Sequence, residues 1–122
     1  MKKFVTSRDI LNKALALTVK NGGCTLKPET GEEATTGYAV GGIREFKFYD
    51  ARIEQTDEMT DAIAQIRKNH PAMDIGFWLD GSTLYIDAVL RFPCEESARL
   101  IGTKLNEVAI YDLNTGTEIR LK

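Results

Sequence analysis

Apolar residues recur at helical spacing in three segments of the chain, and a start signal precedes each segment. The first follows Thr6, whose hydroxyl and the carboxyl of Asp9 match a capping box that satisfies free backbone N–H groups. The second follows Thr56, whose hydroxyl we expect to cap a helix, and the third follows Pro93. Three helices are predicted, and their apolar stripes are Ile10, Leu11, Ala14, Leu15 and Thr18; Met59, Ala62, Ile63 and Ile66; and Ala98, Ile101 and Leu105.

Extended segments stand in pairs between the predicted helices. A loop with Pro and Gly, residues 27–37, separates strands at 24–26 and 38–40, and the pair Gly41-Gly42 is predicted to break the second strand before 43–49. A last hairpin turns through a three-residue loop at 114–116. The order α-β-β-α-β-β-α-β-β predicts one α+β domain over residues 1–122, with about three helices on one face of a largely antiparallel sheet built from hairpins.

The segment Ile75–Leu90 is the central hairpin, and it determines which side chains share a face of the sheet. A two-residue turn at 80–81 pairs Leu79 with Ser82 across the two strands. Because side chains alternate along a strand, one face is then a continuous core face. That face consists of Ile75, Phe77, Leu79, Leu84, Ile86, Ala88 and Leu90.

The opposite face of this hairpin carries an unusual set of side chains for a surface in water. It holds the single tryptophan, Trp78, together with Tyr85 and Asp87. In the predicted register Tyr85 covers the bare backbone of Gly76, and Asp74 lies across from Asp87 as a mildly destabilising like-charge pair. Three explanations stay open: the aromatic pair is covered by the N-terminal segment or a loop, it forms a binding surface, or it stacks a sugar or base.

Composition and charge limit the classes of partner. Of the 122 residues, 43% are hydrophobic and 28% charged, as in an ordinary globular domain. The net charge of −2 argues against extensive direct binding of nucleic acid. Cys24 and Cys94 are expected to be reduced thiols, although a disulfide between them stays open. The N-terminal residues match no signal peptide and no apolar run is long enough for a membrane span, so we expect a cytoplasmic protein.

The sequence contains no sharp catalytic motif. Its single histidine, His70, has no Cys or His at zinc-ligand spacing, and its glycine pairs match neither a phosphate-binding loop nor a dinucleotide fingerprint. We therefore favour a non-enzymatic protein with no catalytic residue, metal site or cofactor. Four carboxylates lie around the start of the second helix: Glu54, Asp57, Glu58 and Asp61. They either cap the helix and form its solvent-exposed face, or form an acidic patch for a basic partner.

Five short segments of the chain stand together as a set: GGCTL at 22–26, TGYAV at 36–40, WLD at 78–80, YID at 85–87 and AIYDL at 109–113. With them the chain resembles a family of small uncharacterised proteins from bacteriophages, plasmids and related bacterial mobile elements. The resemblance covers most of the chain and implies no established activity and no catalytic residues. It implies a small soluble protein of the bacterial host cytosol that binds a host protein or a small molecule.

Three functions follow from these observations. The favoured one is a non-enzymatic binding protein of phage or mobile-element origin that acts on a host protein, such as an inhibitor of CRISPR or restriction. In this function Trp78 and Tyr85 supply contact area, and the four acids steer a basic partner. The alternative is a small-molecule or nucleotide-binding protein, or a weak hydrolase, in which Tyr38, Trp78 and Tyr85 line a pocket and Asp87 is its polar anchor. The third is a homo-oligomer whose subunits meet at the aromatic face.

Overall fold

A computed structural model describes residues 5–122. Residues 1–4, which belong to the segment predicted not to be a signal peptide, lie outside this range. Within it the chain forms three α-helices, six β-strands and one short 3₁₀ turn at Ile53–Gln55. The helices are α1 (Ser7–Asn21), α2 (Thr56–Asn69) and α3 (Glu95–Lys104). The strands are β1 (Gly23–Leu26), β2 (Tyr38–Phe48), β3 (Asp74–Asp80), β4 (Thr83–Phe92), β5 (Ala109–Asp112) and β6 (Thr117–Arg120).

The helix starts agree with the sequence for α1 and differ for α2. The Thr6 hydroxyl accepts from the backbone N–H of Asp9, whose carboxyl accepts from the backbone N–H of Thr6, so the predicted capping box is formed. At α2 the predicted cap is wrong, because Thr56 is already helical and Gln55 stands at the cap without a side-chain bond. The preceding 3₁₀ turn leads directly into α2, so no hydroxyl cap is needed there.

The six strands form one antiparallel sheet in the order β1-β3-β4-β2-β5-β6. The α+β class and the order of elements are therefore confirmed. Only β3–β4 and β5–β6 are hairpins, because β1 pairs with β3, and β2 lies between β4 and β5. The first two strands are thus neighbours in sequence but occupy different parts of the sheet.

Two apolar clusters lie between the helices and one face of the sheet. The larger joins α1 and α2 to β1, β3 and β4, and the predicted core residues Ile75, Phe77, Leu84, Ile86 and Ala88 are all buried in it. The smaller packs Ala98 of α3 against β2 and β5. Leu105 was predicted to face inward but is 46% exposed, because α3 ends at the residue before it. None of the helices described has the length and apolar composition to cross a membrane.

The central hairpin has a different register from the predicted one. Asp80 pairs with Thr83, so the turn is at 81–82 and every cross-strand partner shifts by two residues. Because the shift is two, each side chain keeps its predicted face. Its neighbours change: Gly76 lies opposite Asp87, and Trp78 lies directly opposite Tyr85.

The sequence predicted that Gly41 and Gly42 break a strand, but β2 continues through them and they form an irregularity within it. The register with β4 shifts between Val40 and Arg44, so three residues of β2 stand where β4 has one. Such a bulge bends a strand and increases its twist. The last hairpin also differs, since Asp112 pairs with Thr117 and leaves a four-residue loop at 113–116.

Candidate functional site

The face of the sheet that carries no helix encloses a concave groove with a volume of about 640 Å³. Its floor lies on the central strands β3, β4 and β2, and its two sides rise with the outer strands at either edge of the sheet. A volume of this size is within the range of small-molecule sites in proteins. The groove is lined by residues 21–25, 33–35, 39, 41, 76–78, 87, 89, 109–111, 113, 116 and 118.

Asp87 lies on the floor of this groove between two glycines of neighbouring strands. A Cβ atom at Gly76 would lie 2.4 Å from Asp87 Oδ1, and a Cβ atom at Gly41 would lie 2.4 Å from Asp87 Oδ2. Real Cβ atoms do not approach an oxygen so closely, so the carboxyl occupies space that only glycine leaves open. The bare backbone on both sides therefore lets the carboxyl lie close against the sheet.

The surroundings of Asp87 favour its neutral form. Burial is the largest cause that raises its pKa, and the nearby carboxylates of Glu45 and Glu107 raise the pKa further. The backbone N–H of Gly42 donates to Asp87 Oδ2 at 2.8 Å and opposes this rise. The resulting pKa is about 7, so at neutral pH the carboxyl can accept a proton or a hydrogen bond.

Aromatic side chains stand on both sides of the groove. Trp78 and Tyr85 are stacked, with ring centroids 5.4 Å apart and an interplanar angle of 28°, and the Lys47 ammonium lies 5.8 Å from the centroid of the Tyr85 ring. Trp78 remains 55% exposed. On the other side Tyr111 is 44% exposed, and its hydroxyl donates to the carbonyl of Gly116 in its own hairpin.

The loop at 27–37 closes one end of the groove. Its residues pair with the edge strand β1, where the N–H of Ala34 donates to the carbonyl of Thr25 at 2.8 Å. Arg91 holds the loop and two strands together: its Nε donates to Asp74 Oδ2 at 2.6 Å, and its Nη1 to the carbonyl of Thr36 at 3.5 Å. Asp74 was predicted to lie opposite Asp87, but the observed register places Val89 opposite Asp74. The Asp74 carboxyl forms an ion pair with Arg91.

The predicted site residues fall into three locations. Trp78, Tyr85 and Asp87 share the open face, as their alternation required. Tyr38 does not join them: it belongs to the other face, where it packs against the cluster formed by α3, β2 and β5. The acidic residues Glu54, Asp57, Glu58 and Asp61 are exposed in the segment of the 3₁₀ turn and α2, and α2 packs on the helical face of the sheet. Among them, Asp57 forms an ion pair with Arg8.

Both cysteines are free thiols, and they differ in exposure and in the direction in which their pKa is shifted. Cys24 lies against α1, near the Thr18 hydroxyl and the Ala14 carbonyl, and burial raises its pKa to about 11. Cys94 is exposed before α3, and its contact with the Ser97 hydroxyl at 3.1 Å is the main cause that lowers its pKa. In the part of the chain described, no three His, Cys, Asp or Glu side chains are grouped to hold a metal ion.

Comparison of the chain with protein-family models, with curated proteins and with solved structures finds no match.

Sequence reasoning placed Tyr85 over Gly76 and a strand break at Gly41, so it did not find these two glycines beside Asp87, and it missed the far wall with Tyr111. A signal for the glycines was present, because glycine inside a strand marks a bulge or a close approach of another group. Both Gly41 and Gly76 stand inside extended segments. Their common neighbour could not be inferred, since Gly41 and Asp87 are brought together only by the pairing of β2 with β4.

Proposed function

We propose that the protein is a non-enzymatic binding protein whose groove on the open sheet face holds a small ligand, with Asp87 as the polar anchor. The observation that carries this proposal is the position of the Asp87 carboxyl, which lies on the groove floor over bare glycine backbone. A polar group at the floor of a concave site with aromatic side chains in its walls is typical of a ligand pocket. Trp78 and Tyr111 supply flat apolar surface, and Asp87 supplies a directional contact at the centre of the floor.

Thermal unfolding in the presence of a chemically diverse set of small molecules tests this proposal. The set contains cationic, neutral and anionic compounds, including nucleotides. A ligand present at 100 times its dissociation constant raises the free energy of unfolding by about 2.7 kcal/mol. Trp78 is the only tryptophan, so its fluorescence gives an independent measure of groove occupancy. The proposal fails if no compound changes either the midpoint of unfolding or the Trp78 emission.

A second candidate is the binding of a host protein by the exposed aromatic rim, which includes the proposal of a phage or mobile-element origin and an anti-defence role. The exposed fractions of Trp78 and Tyr111 favour it, because aromatic side chains are enriched at the centres of protein interfaces. The acids of the α2 segment do not contribute to this surface, so steering of a basic partner is not part of the proposal.

Capture of partners from host lysate by the intact protein, compared with a Trp78→Ser variant, tests the second candidate. A specific partner should be recovered by the wild type and lost with the variant, while Glu58→Gln on α2 should retain it. Light scattering on the purified protein tests the remaining interpretation, a homo-oligomer: a mass of twice the 13.6 kDa chain that falls to the monomer mass in Trp78→Ser would assign the rim to a second copy. Recovery of the same host proteins by the wild type, Trp78→Ser and Glu58→Gln would contradict binding through the rim.

A further inference from the structure

The charge of the groove has one sign. Its lining contains three carboxylates, those of Glu33, Asp87 and Glu118, and within residues 5–122 no lysine, arginine or histidine lines it. Two further carboxylates, Glu45 and Glu107, lie near enough to Asp87 to raise its pKa. The potential inside the groove is therefore negative, and a low-dielectric concave surface strengthens such a field.

Three basic side chains near the groove or on its face of the sheet are engaged with acids other than Asp87. Arg91 is bound to Asp74, and Arg120 lies 3.4 Å from Glu118 at the exposed rim. Lys47 lies 3.8 Å from Glu45. Within residues 5–122 no ion pair involves Asp87, so no described side chain supplies a cation to the carboxyl on the floor.

The Asp87 carboxyl has no ion-pair partner among residues 5–122. Its Oδ2 accepts the N–H of Gly42, its own backbone N–H supplies a second hydrogen bond, and its Oδ1 lies over Gly76. A carboxylate that is largely removed from water is stabilised by a cation or takes up a proton. A ligand that carries a positive charge and an N–H donor supplies such a cation.

We infer that the groove binds a small organic cation, whose ammonium or guanidinium group is held by Oδ1 of Asp87 between the aromatic side chains of Trp78 and Tyr111. The inference rests on the proposed ligand-binding function of the groove. Aromatic faces attract organic cations through their negative quadrupole, by about 0.5–2 kcal/mol where the cation lies within about 6 Å of a ring centroid. A metal ion fits less well, because it needs several ligands and the described residues offer no cluster of three.

Three compounds with one carbon skeleton and different charges test the inference: phenethylamine, 2-phenylethanol and phenylacetate. Isothermal titration calorimetry with the wild-type protein at pH 8 measures each affinity. We expect phenethylamine to bind at least about tenfold more tightly than the alcohol, since a tenfold ratio corresponds to only about 1.4 kcal/mol. Phenylacetate should show no binding, because its charge has the sign of the groove.

Two variants separate the role of Asp87 from a general effect of charge. Asp87→Asn removes the negative charge on the floor and should lower the phenethylamine affinity to that of the alcohol. Glu58→Gln removes the same charge from the exposed surface of α2 and should leave the affinity unchanged. Circular dichroism checks that both variants are folded.

The pH dependence of wild-type binding gives a measurement that needs no variant. With a pKa of about 7, Asp87 is mostly protonated at pH 6 and mostly ionised at pH 8, so phenethylamine affinity should rise roughly tenfold over this interval. The carboxylates of Glu45 on β2 and Glu107 before β5 lie near Asp87 and raise its pKa through their charge. Binding at pH 6 should release close to one proton, which calorimetry in two buffers of different ionisation enthalpy detects.

The outcomes distinguish this inference from the function on which it rests. Equal affinity for the three compounds, or tighter binding of the alcohol or phenylacetate, overturns the cation while leaving a ligand-binding groove. An affinity for phenethylamine that is unchanged by Asp87→Asn and by pH also overturns it. Failure of all three compounds and of the wider set to bind overturns both proposals.

Discussion

Asp87 is a single acidic side chain in the middle of a sheet, and its protonation links the groove to the stability of the fold. Burial is the main cause that raises its pKa from 3.8 to about 7. The unfolded chain releases this proton near pH 3.8, so between these pH values the folded state binds it more tightly. The stability that Asp87 contributes is therefore full below pH 3.8 and is lost as the pH rises to about 7.

Asp87→Asn should remove this dependence, because the amide is neutral at every pH. We expect the free energy of unfolding of the variant, relative to the wild type, to be higher at pH 8 than at pH 5. Urea unfolding followed by Trp78 fluorescence at the two pH values measures the difference. Glu58→Gln, at an exposed position of α2, serves as the control and should show no such change. A pH-independent difference for Asp87→Asn would contradict the expected burial of the carboxyl.

The close approach of Asp87 to Gly41 makes a second prediction at the residue scale. Gly41→Ala places a methyl group on the carboxyl and should destabilise the wild type by about 1–3 kcal/mol, the usual cost of overpacking. In an Asp87→Ala background the same change should cost much less, since the three heavy atoms nearest to that Cβ position all belong to Asp87. A double-mutant cycle from urea unfolding measures the coupling. Additive effects would contradict the contact.

At the scale of elements, β4 joins the two sides of the molecule. One face of this strand supplies Leu84, Ile86 and Ala88 to the larger core cluster, and the other supplies Asp87 to the groove. Near the end of the strand Arg91 connects β4 to β3 through Asp74 and to the loop at 27–37 through Thr36. The Asp74 side chain is only 9% exposed and that of Arg91 only 30%, so this ion pair is largely shielded from water.

Arg91→Met should therefore destabilise the protein by about 3 kcal/mol, because it leaves a buried carboxylate without its partner. Arg99→Met is the matched control: the Arg99 pair with Glu95 is nearly half-exposed on both sides, and its loss should cost less than about 1 kcal/mol. Thermal and urea unfolding of the two variants measure the contrast. The two substitutions would have similar effects if the Asp74–Arg91 pair were an ordinary surface contact.

At the scale of the whole molecule, one continuous sheet supports both apolar clusters. The larger cluster involves α1 and α2, the smaller involves α3, and β2 contributes to each of them. Unfolding of one strand would expose residues of the neighbouring strand to water. The stability of each cluster therefore depends on that of the other. Small domains with such shared elements unfold in one cooperative step.

We expect this protein to unfold as one unit. Trp78 fluorescence reports on the β3–β4 hairpin, and far-ultraviolet circular dichroism reports on all elements, including α3. The two signals should give the same midpoint and the same slope in urea. Tyr38→Ala, which removes a ring packed on the smaller cluster, should shift both curves together. Separate midpoints would indicate that the α3 cluster unfolds independently.

Most of the elements and roughly half of the site were predictable from the sequence. Capping signals, apolar stripes and alternation identified the three helices and placed Trp78, Tyr85 and Asp87 on one face. The misplaced residue, Tyr38, shows the limit of that reasoning. Side chains alternate between two faces in its strand too. Which of those faces packs against a helix depends on α3, which begins more than 50 residues after Tyr38 in the chain.

Alternation and helical periodicity are local properties, so the sequence by itself determined the elements, their order and the side of the central hairpin that faces the core. The tertiary structure decided the order of strands, the register and the bulge at Gly41 and Gly42. A shift of two residues leaves every side chain on its face but replaces every neighbour across the strands, so no periodic pattern can detect it. That shift places Gly76 beside Asp87, and the pairing of β2 with β4 adds Gly41. The groove floor is thus a product of long-range pairing.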